Sequence, residues 1–182
     1  MGEFKPTFPA ASEPQEPVME VSSPEQKERE ALKLRVVEKL SNIRSGMEVS
    51  DADGLLGELS EMDSDSIRLS PEVQAAAKKG LTQAFQDGRT AVVLDIVRDF
   101  KVAKEFLGSP EITVMARQSA LRAIRSGSLS AMRALARNFD ISSEFLHEPE
   151  TIEAARTGVE ALLGKDKVRQ DQVDALKAEF GL

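Results

Sequence analysis

The sequence predicts an all-α protein, a right-handed solenoid of about four helix-turn-helix repeats, and three observations carry that expectation. The triplet Ser-Pro-Glu begins at Ser23, Ser70 and Ser109, and Glu148-Pro149-Glu150 is a degenerate copy. The last three starts are spaced by 39 residues, a period of the kind that marks repeat architectures. After each start the apolar residues recur three or four apart, the spacing of one helix face, and no run reads as a strand.

Each triplet is a helix start in chemical terms. A serine hydroxyl can accept a hydrogen bond from a free first-turn amide, worth about 1 kcal/mol. Proline suits the first helical position, where its missing N–H would have been unpaired. Glutamate in the first turn favours the positive end of the helix dipole.

Taken in order, residues 1–22 contain KPTFPAASEPQEPVMEVS, rich in Pro, Glu and Ser. So little can be buried there that a disordered tail is expected, serving as a linker or as a short linear ligand. The folded domain is expected over 23–182, with repeats at about 23–69, 70–108, 109–147 and 148–182. In the first, Leu32, Val36, Leu40 and Ile43 form a stripe that ends at IRSG (43–46), and Leu55, Leu56, Leu59 and Met62 form a second. This repeat is longer and more acidic than the others, as a polar cap would be. In the second, Val73, Ala77, Leu81 and Ala84 share a face, Gly88 supplies a left-handed stop, and Val93, Ile96, Val97 and Phe100 stripe the next helix. Phe106-Leu107 then forms an apolar elbow.

A shift of 39 places Ala77 with Ala116 and Ala155, and Gly80 with Ser119 and Gly158. Phe85 falls with Ile124 and Leu163, Gly88 with Gly127, Phe100 with Phe139, and Phe106 with Phe145. The small residues would let two helices approach closely. In the fourth repeat an insertion near Lys165-Asp166 changes the spacing to 41, so that Val173, Leu176 and Phe180 match Met132, Leu135 and Phe139.

Composition narrows the function. There is no cysteine, which excludes disulfides, thiolate catalysis and cysteine zinc sites. Trp and Tyr, the usual interface anchors, are also missing. No stretch approaches the ~18 unbroken apolar residues of a membrane span, and no basic-then-apolar leader opens the chain, so a cytoplasmic location without membrane contact is expected. His147, the only histidine, is expected to be structural. DADG (51–54) and DSDS (63–66) have the acids of a calcium loop but lack its spacing; Asp53 is expected to cap a helix and Asp63–Ser66 to form a polar turn. No serine–histidine–acid set or glycine-rich phosphate loop is present. The expectation is therefore a non-enzyme without cofactor or metal.

Charge is the one feature that points to a partner. Residues 1–72 carry 8 basic against 16 acidic side chains, 73–140 carry 11 against 6, and 141–182 carry 5 against 9. The middle repeats are a basic island, and Arg98, Arg117, Arg122, Arg125, Arg133 and Arg137 are its candidate binding residues. Guanidinium groups pair well with carboxylates, so an acidic peptide or protein is the expected partner. Nucleic acid is the second possibility, opposed by the net charge of −7 and by a lack of stacking aromatics other than Phe. The non-functional alternative is a solvated surface with local salt bridges.

The stretch SPEVQAAAKKGL, with the later EFLGSPE, resembles an α-helical repeat with a Ser-Pro-Glu-Val-Gln type start found in uncharacterised bacterial proteins, over about residues 70–163. More distantly it is similar to the tetratricopeptide, ankyrin and HEAT group, without the Trp/Tyr pattern of the first or the Thr-Pro-Leu-His of the second. The resemblance implies a non-enzymatic scaffold that binds protein, and it transfers no ligand residues.

Overall fold

The computed structural model describes residues 23–43, 46–57, 59–164 and 169–182, and all regular structure among them is helical. The helices are α1 (Pro24–Ser41), α2 (Gly46–Gly54), α3 (Glu61–Arg68), α4 (Pro71–Gln86), α5 (Thr90–Phe100), the single turn α6 (Lys104–Leu107), α7 (Pro110–Arg125), α8 (Leu129–Asn138), α9 (Pro149–Leu163) and α10 (Gln170–Phe180). A 3₁₀ turn, Ser143–His147, separates α8 from α9. The tail expected over 1–22, the insertion near Lys165-Asp166 and the middle of IRSG lie outside the described residues.

Proline occupies the first position of α1, α4, α7 and α9, and the preceding residue is extended in each case. Only Ser23 completes the cap expected of the triplet: its Oγ accepts from the Gln26 amide at 3.2 Å, and its own amide donates to Gln26 Oε1 at 2.7 Å. Ser70 and Ser109 take the cap backbone conformation without a side-chain cap bond, so the hydroxyl contribution expected there is missing. Ser60, outside any triplet, caps α3 through the Asp63 amide.

Stops recur as well. Gly88 and Gly127 have φ of 70° and 77°, and the next amides, of Arg89 and Ser128, reach back to the Ala84 and Ala123 carbonyls at 2.8 Å. This six-to-one bond is the Schellman stop, which glycine adopts without a Cβ clash. Past α5 and α8 the left-handed residues are Lys101 and Asp140, at φ 47° and 50°.

The helices pack in two contact series. α1, α4, α7 and α9 each touch the next; so do α2, α5, α8 and α10, and each member of the first series pairs with the helix that follows it in the second. One continuous core fills the space between them, from Val36 and Leu40 through Phe85, Ile96 and Ile124 to Leu176. The rings of Phe85 and Phe139 meet edge to face at 5.1 Å, joining the ends of α4 and α8.

The small-residue column works as expected where it holds glycine. A Cβ on Gly80 would stand 2.8 Å from the Leu40 carbonyl oxygen, and one on Gly158 only 2.1 Å from that of Ile124. Helix backbones therefore touch at these positions. Leu40, Phe85 and Ile124 hold equivalent places, and counting five back from each puts Arg35 of α1 in the column of Gly80 and Ser119.

Three local expectations are corrected. Leu55, Leu56, Leu59 and Met62 do not stripe one helix: α2 ends at Gly54, a turn carries Leu56 into the core, and Met62 is exposed. Asp53 lies in the last turn of α2 rather than at a cap, because that helix already starts at Gly46, and its carboxylate meets Arg68 at 2.7 Å. Asp63–Ser66 are helical, since Ser60 starts α3 ahead of them.

Candidate binding surfaces

The six candidate arginines are split between the two helix series, and most are engaged within the protein. On α5, Arg98 pairs with Asp99 at 2.6 Å and Asp95 at 3.0 Å; the hydrogen bond and charge of Asp99 raise its pKa well above the usual guanidinium range. On α8, Arg133 reaches Glu179 of α10, whose carboxylate likewise raises its pKa. On α7, Arg117 pairs with Glu148 and lies 5.2 Å from the Phe145 ring centre. Arg125 is 3.4 Å from Glu150. Arg122 leans on the α4 terminus, 3.4 Å from the Phe85 carbonyl oxygen. Arg137 is exposed and has no ion-pair partner among the described residues.

The ladder is thus not one row. Arg98 and Arg137 hold equivalent positions on adjacent helices, Arg117 and Arg125 stitch α7 to the start of α9, and Arg133 ties α8 to α10. Exposed pairs of this kind contribute about 0–1 kcal/mol each, but they lower the charge on offer to a ligand.

The acidic motifs have a similar explanation. Asp51 pairs with Lys39, Asp53 and Asp65 with Arg68, and Asp63 with Arg29. Lys101 adds a second cation to Asp65 at 2.7 Å, and that bond holds the Asp65 pKa below the usual carboxylate value. Among the described residues no three His, Cys, Asp or Glu side chains gather into a set that could hold a metal ion. Nor is any helix among them long and apolar enough to cross a membrane.

A concavity among the described residues lies elsewhere. A groove of about 1120 Å³, open to solvent, runs between α1, α2 and the α2–α3 turn. Leu32, Leu55 and Leu59 are half-buried along it, and Glu25, Glu28, Arg29, Arg35, Lys39, Asp51 and Asp63 supply its charge. Arg29 and Lys39 are neutralised by Asp63 and Asp51. Arg35 is exposed and has no ion-pair partner among the described residues.

The groove exists because of which face α1 turns outward. In α4 and α9 the corresponding face carries Ala77 and Gly80, or Ala155 and Gly158, and is covered by the preceding helix. In α1 it carries Leu32 and Arg35. The sequence stripes placed Leu32, Leu55 and Leu59 in the core and passed over Arg35. The available signal was a charge standing in the small-residue column, hidden by the different length of the first repeat.

Comparison with protein-family models, with curated proteins and with solved structures finds no match for this chain. Function therefore has to be argued from the surfaces themselves.

Proposed function

We propose that this chain is a non-enzymatic scaffold, a right-handed solenoid of about four helix-turn-helix repeats with a 39-residue period, that binds a protein or peptide. The recurrences at Gly88 and Gly127 and at Lys101 and Asp140 support the period, as do the two unbroken helix series. Stacked helical pairs create extended surfaces suited to macromolecular ligands.

The observation that carries the binding role is the groove on the first pair. Its leucines give an apolar floor, and its mixed rim includes a cation, Arg35, with no ion-pair partner among the described residues. A peptide with two or three apolar side chains and a carboxylate matches that chemistry, because apolar anchors supply most of the affinity while the charge sets register. On the middle repeats, Arg137 is the best-placed of the candidate arginines for a second, weaker contact, with the carboxylate-paired Arg98 at the equivalent position on α5. Phosphate binding by the ladder draws no comparable support, since most of its guanidinium groups already face carboxylates.

The test is a pull-down from nuclease-treated lysate with three baits: wild type, a Leu59→Asp/Arg35→Glu variant and an Arg98→Glu/Arg137→Glu variant. The expected result is a protein retained by wild type and lost by the groove variant, whose circular dichroism stays helical. Retention by all three would overturn the groove assignment.

A further inference from the structure

A second surface, independent of the groove, follows from a column of cations. Seven residues before each of Leu40, Phe85, Ile124 and Leu163 stand Lys33, Lys78, Arg117 and Arg156. The first three meet the segment that follows their helix pair. Lys33 reaches Glu72 at the start of α4. Lys78 lies 5.2 Å from the ring centre of Phe106, and Arg117 lies at the same distance from that of Phe145 while also binding Glu148. Among the described residues Arg156 has only Glu153 of its own helix, at 3.5 Å.

The apolar column agrees. Leu40, Phe85 and Ile124 are 0%, 2% and 0% exposed, whereas Leu163 is 49% exposed. The difference is not one of helix rotation, because Ala155, Gly158 and Leu162 of the same helix are buried like their counterparts. Leu163 is exposed because no helix among the described residues lies over it. The outer side of α9 thus presents the same half-socket that α4 and α7 present, with cation and apolar residue in place.

What fills such a socket is visible twice inside the molecule. An aromatic residue, Phe106 or Phe145, sits in a short elbow, and three residues later a Ser-Pro-Glu or Glu-Pro-Glu start opens a helix. That helix turns an Ala-x-x-Ser or Ala-x-x-Gly face, Ala116 to Ser119 or Ala155 to Gly158, toward its neighbour. We propose that the outer face of α9, centred on Arg156 and Leu163, docks a partner-protein helix of this same chemistry: aromatic elbow, acidic proline-led start, small-residue face. A second copy of this chain does not offer it at its first helix, because Arg35 of α1 occupies the column where the close approach needs glycine or serine.

The probe is a labelled peptide with the sequence of residues 143–163, titrated against the full chain. Saturable binding is expected, weakened by about tenfold or more by Arg156→Glu, by Leu163→Asp, or by Phe145→Ala in the peptide. Because a short peptide must also order itself on binding, a second measurement uses residues 142–182 repeated directly after Leu182. The added segment should raise the helical signal and the melting temperature, and Arg156→Glu should remove the gain in melting temperature. Failure of the added segment to become helical, or indifference of both assays to Arg156→Glu, overturns the proposal. So does Leu163-dependent self-association of the wild-type chain in sedimentation, which would assign the face to a second copy.

Discussion

Single residues decide how closely the helices approach. Alanine is a better helix former than glycine by about 1 kcal/mol, yet Gly158→Ala should destabilise. Its new Cβ would sit 2.1 Å from a backbone oxygen that no side-chain rotation can move, and overpacking of this kind typically costs about 1–3 kcal/mol. Gly80→Ala should follow in the same direction with a smaller loss, its contact being 2.8 Å. Ser119, in the same column, is buried and its hydroxyl finds no partner among the described residues. Ser119→Ala should therefore be neutral or stabilising by up to about 1 kcal/mol, since an unsatisfied buried hydroxyl is removed. Urea denaturation of the three variants checks the order. The glycine column was legible in the sequence because glycine and serine recurred 39 apart. The degree of approach was not, because it depends on the neighbouring helix's carbonyl.

At the scale of elements, starts and elbows make different contributions than the repeated triplet suggests. Ser23→Ala should cost about 1 kcal/mol, because a reciprocal capping box is lost. Ser109→Ala should cost only a few tenths, because no side-chain cap bond exists there. Thermal unfolding of both variants measures the contrast, and equal losses would contradict it. The fourth start explains its own degeneracy: Glu148 replaces serine where its carboxylate meets Arg117. The elbows carry more weight. Phe145 is fully buried while Phe106 is half-buried, so Phe145→Ala should cost about 3–5 kcal/mol and Phe106→Ala distinctly less in the same chemical denaturation series. Both phenylalanines were recognisable as elbow residues from their spacing. The cations over their rings were not, since Lys78 and Arg117 lie 28 residues earlier and only folding brings them together.

For the whole molecule, two carboxylates held below their ordinary pKa make stability sensitive to acid in a defined direction. Asp65 has its pKa lowered by the Lys101 hydrogen bond, and Glu72 by a hydrogen bond from its own backbone amide and by Lys33. Folded-state values below the unfolded ones mean stabilisation that is fully present above pH of about 4. It is lost as pH falls through the depressed values. An Asp65→Asn/Glu72→Gln variant should thus be less stable than wild type at neutral pH and converge with it as pH falls through both depressed values, as read by denaturant midpoints across the range. Convergence absent, or a gap that widens in acid, would contradict the assignment. Helix content, proline-led starts and glycine stops were set by local sequence, because capping, φ preference and apolar periodicity act within a few residues of one another. Tertiary structure alone decided which charges were free. Arg117, Arg125 and Arg133 looked like a ladder for a ligand, but Glu148, Glu150 and Glu179 lie 25–46 residues away and arrive only when the helices stack. The same stacking leaves Arg35 and Leu163 outward among the described residues, for the physical reason that a column residue is buried only where a neighbouring helix lies over it.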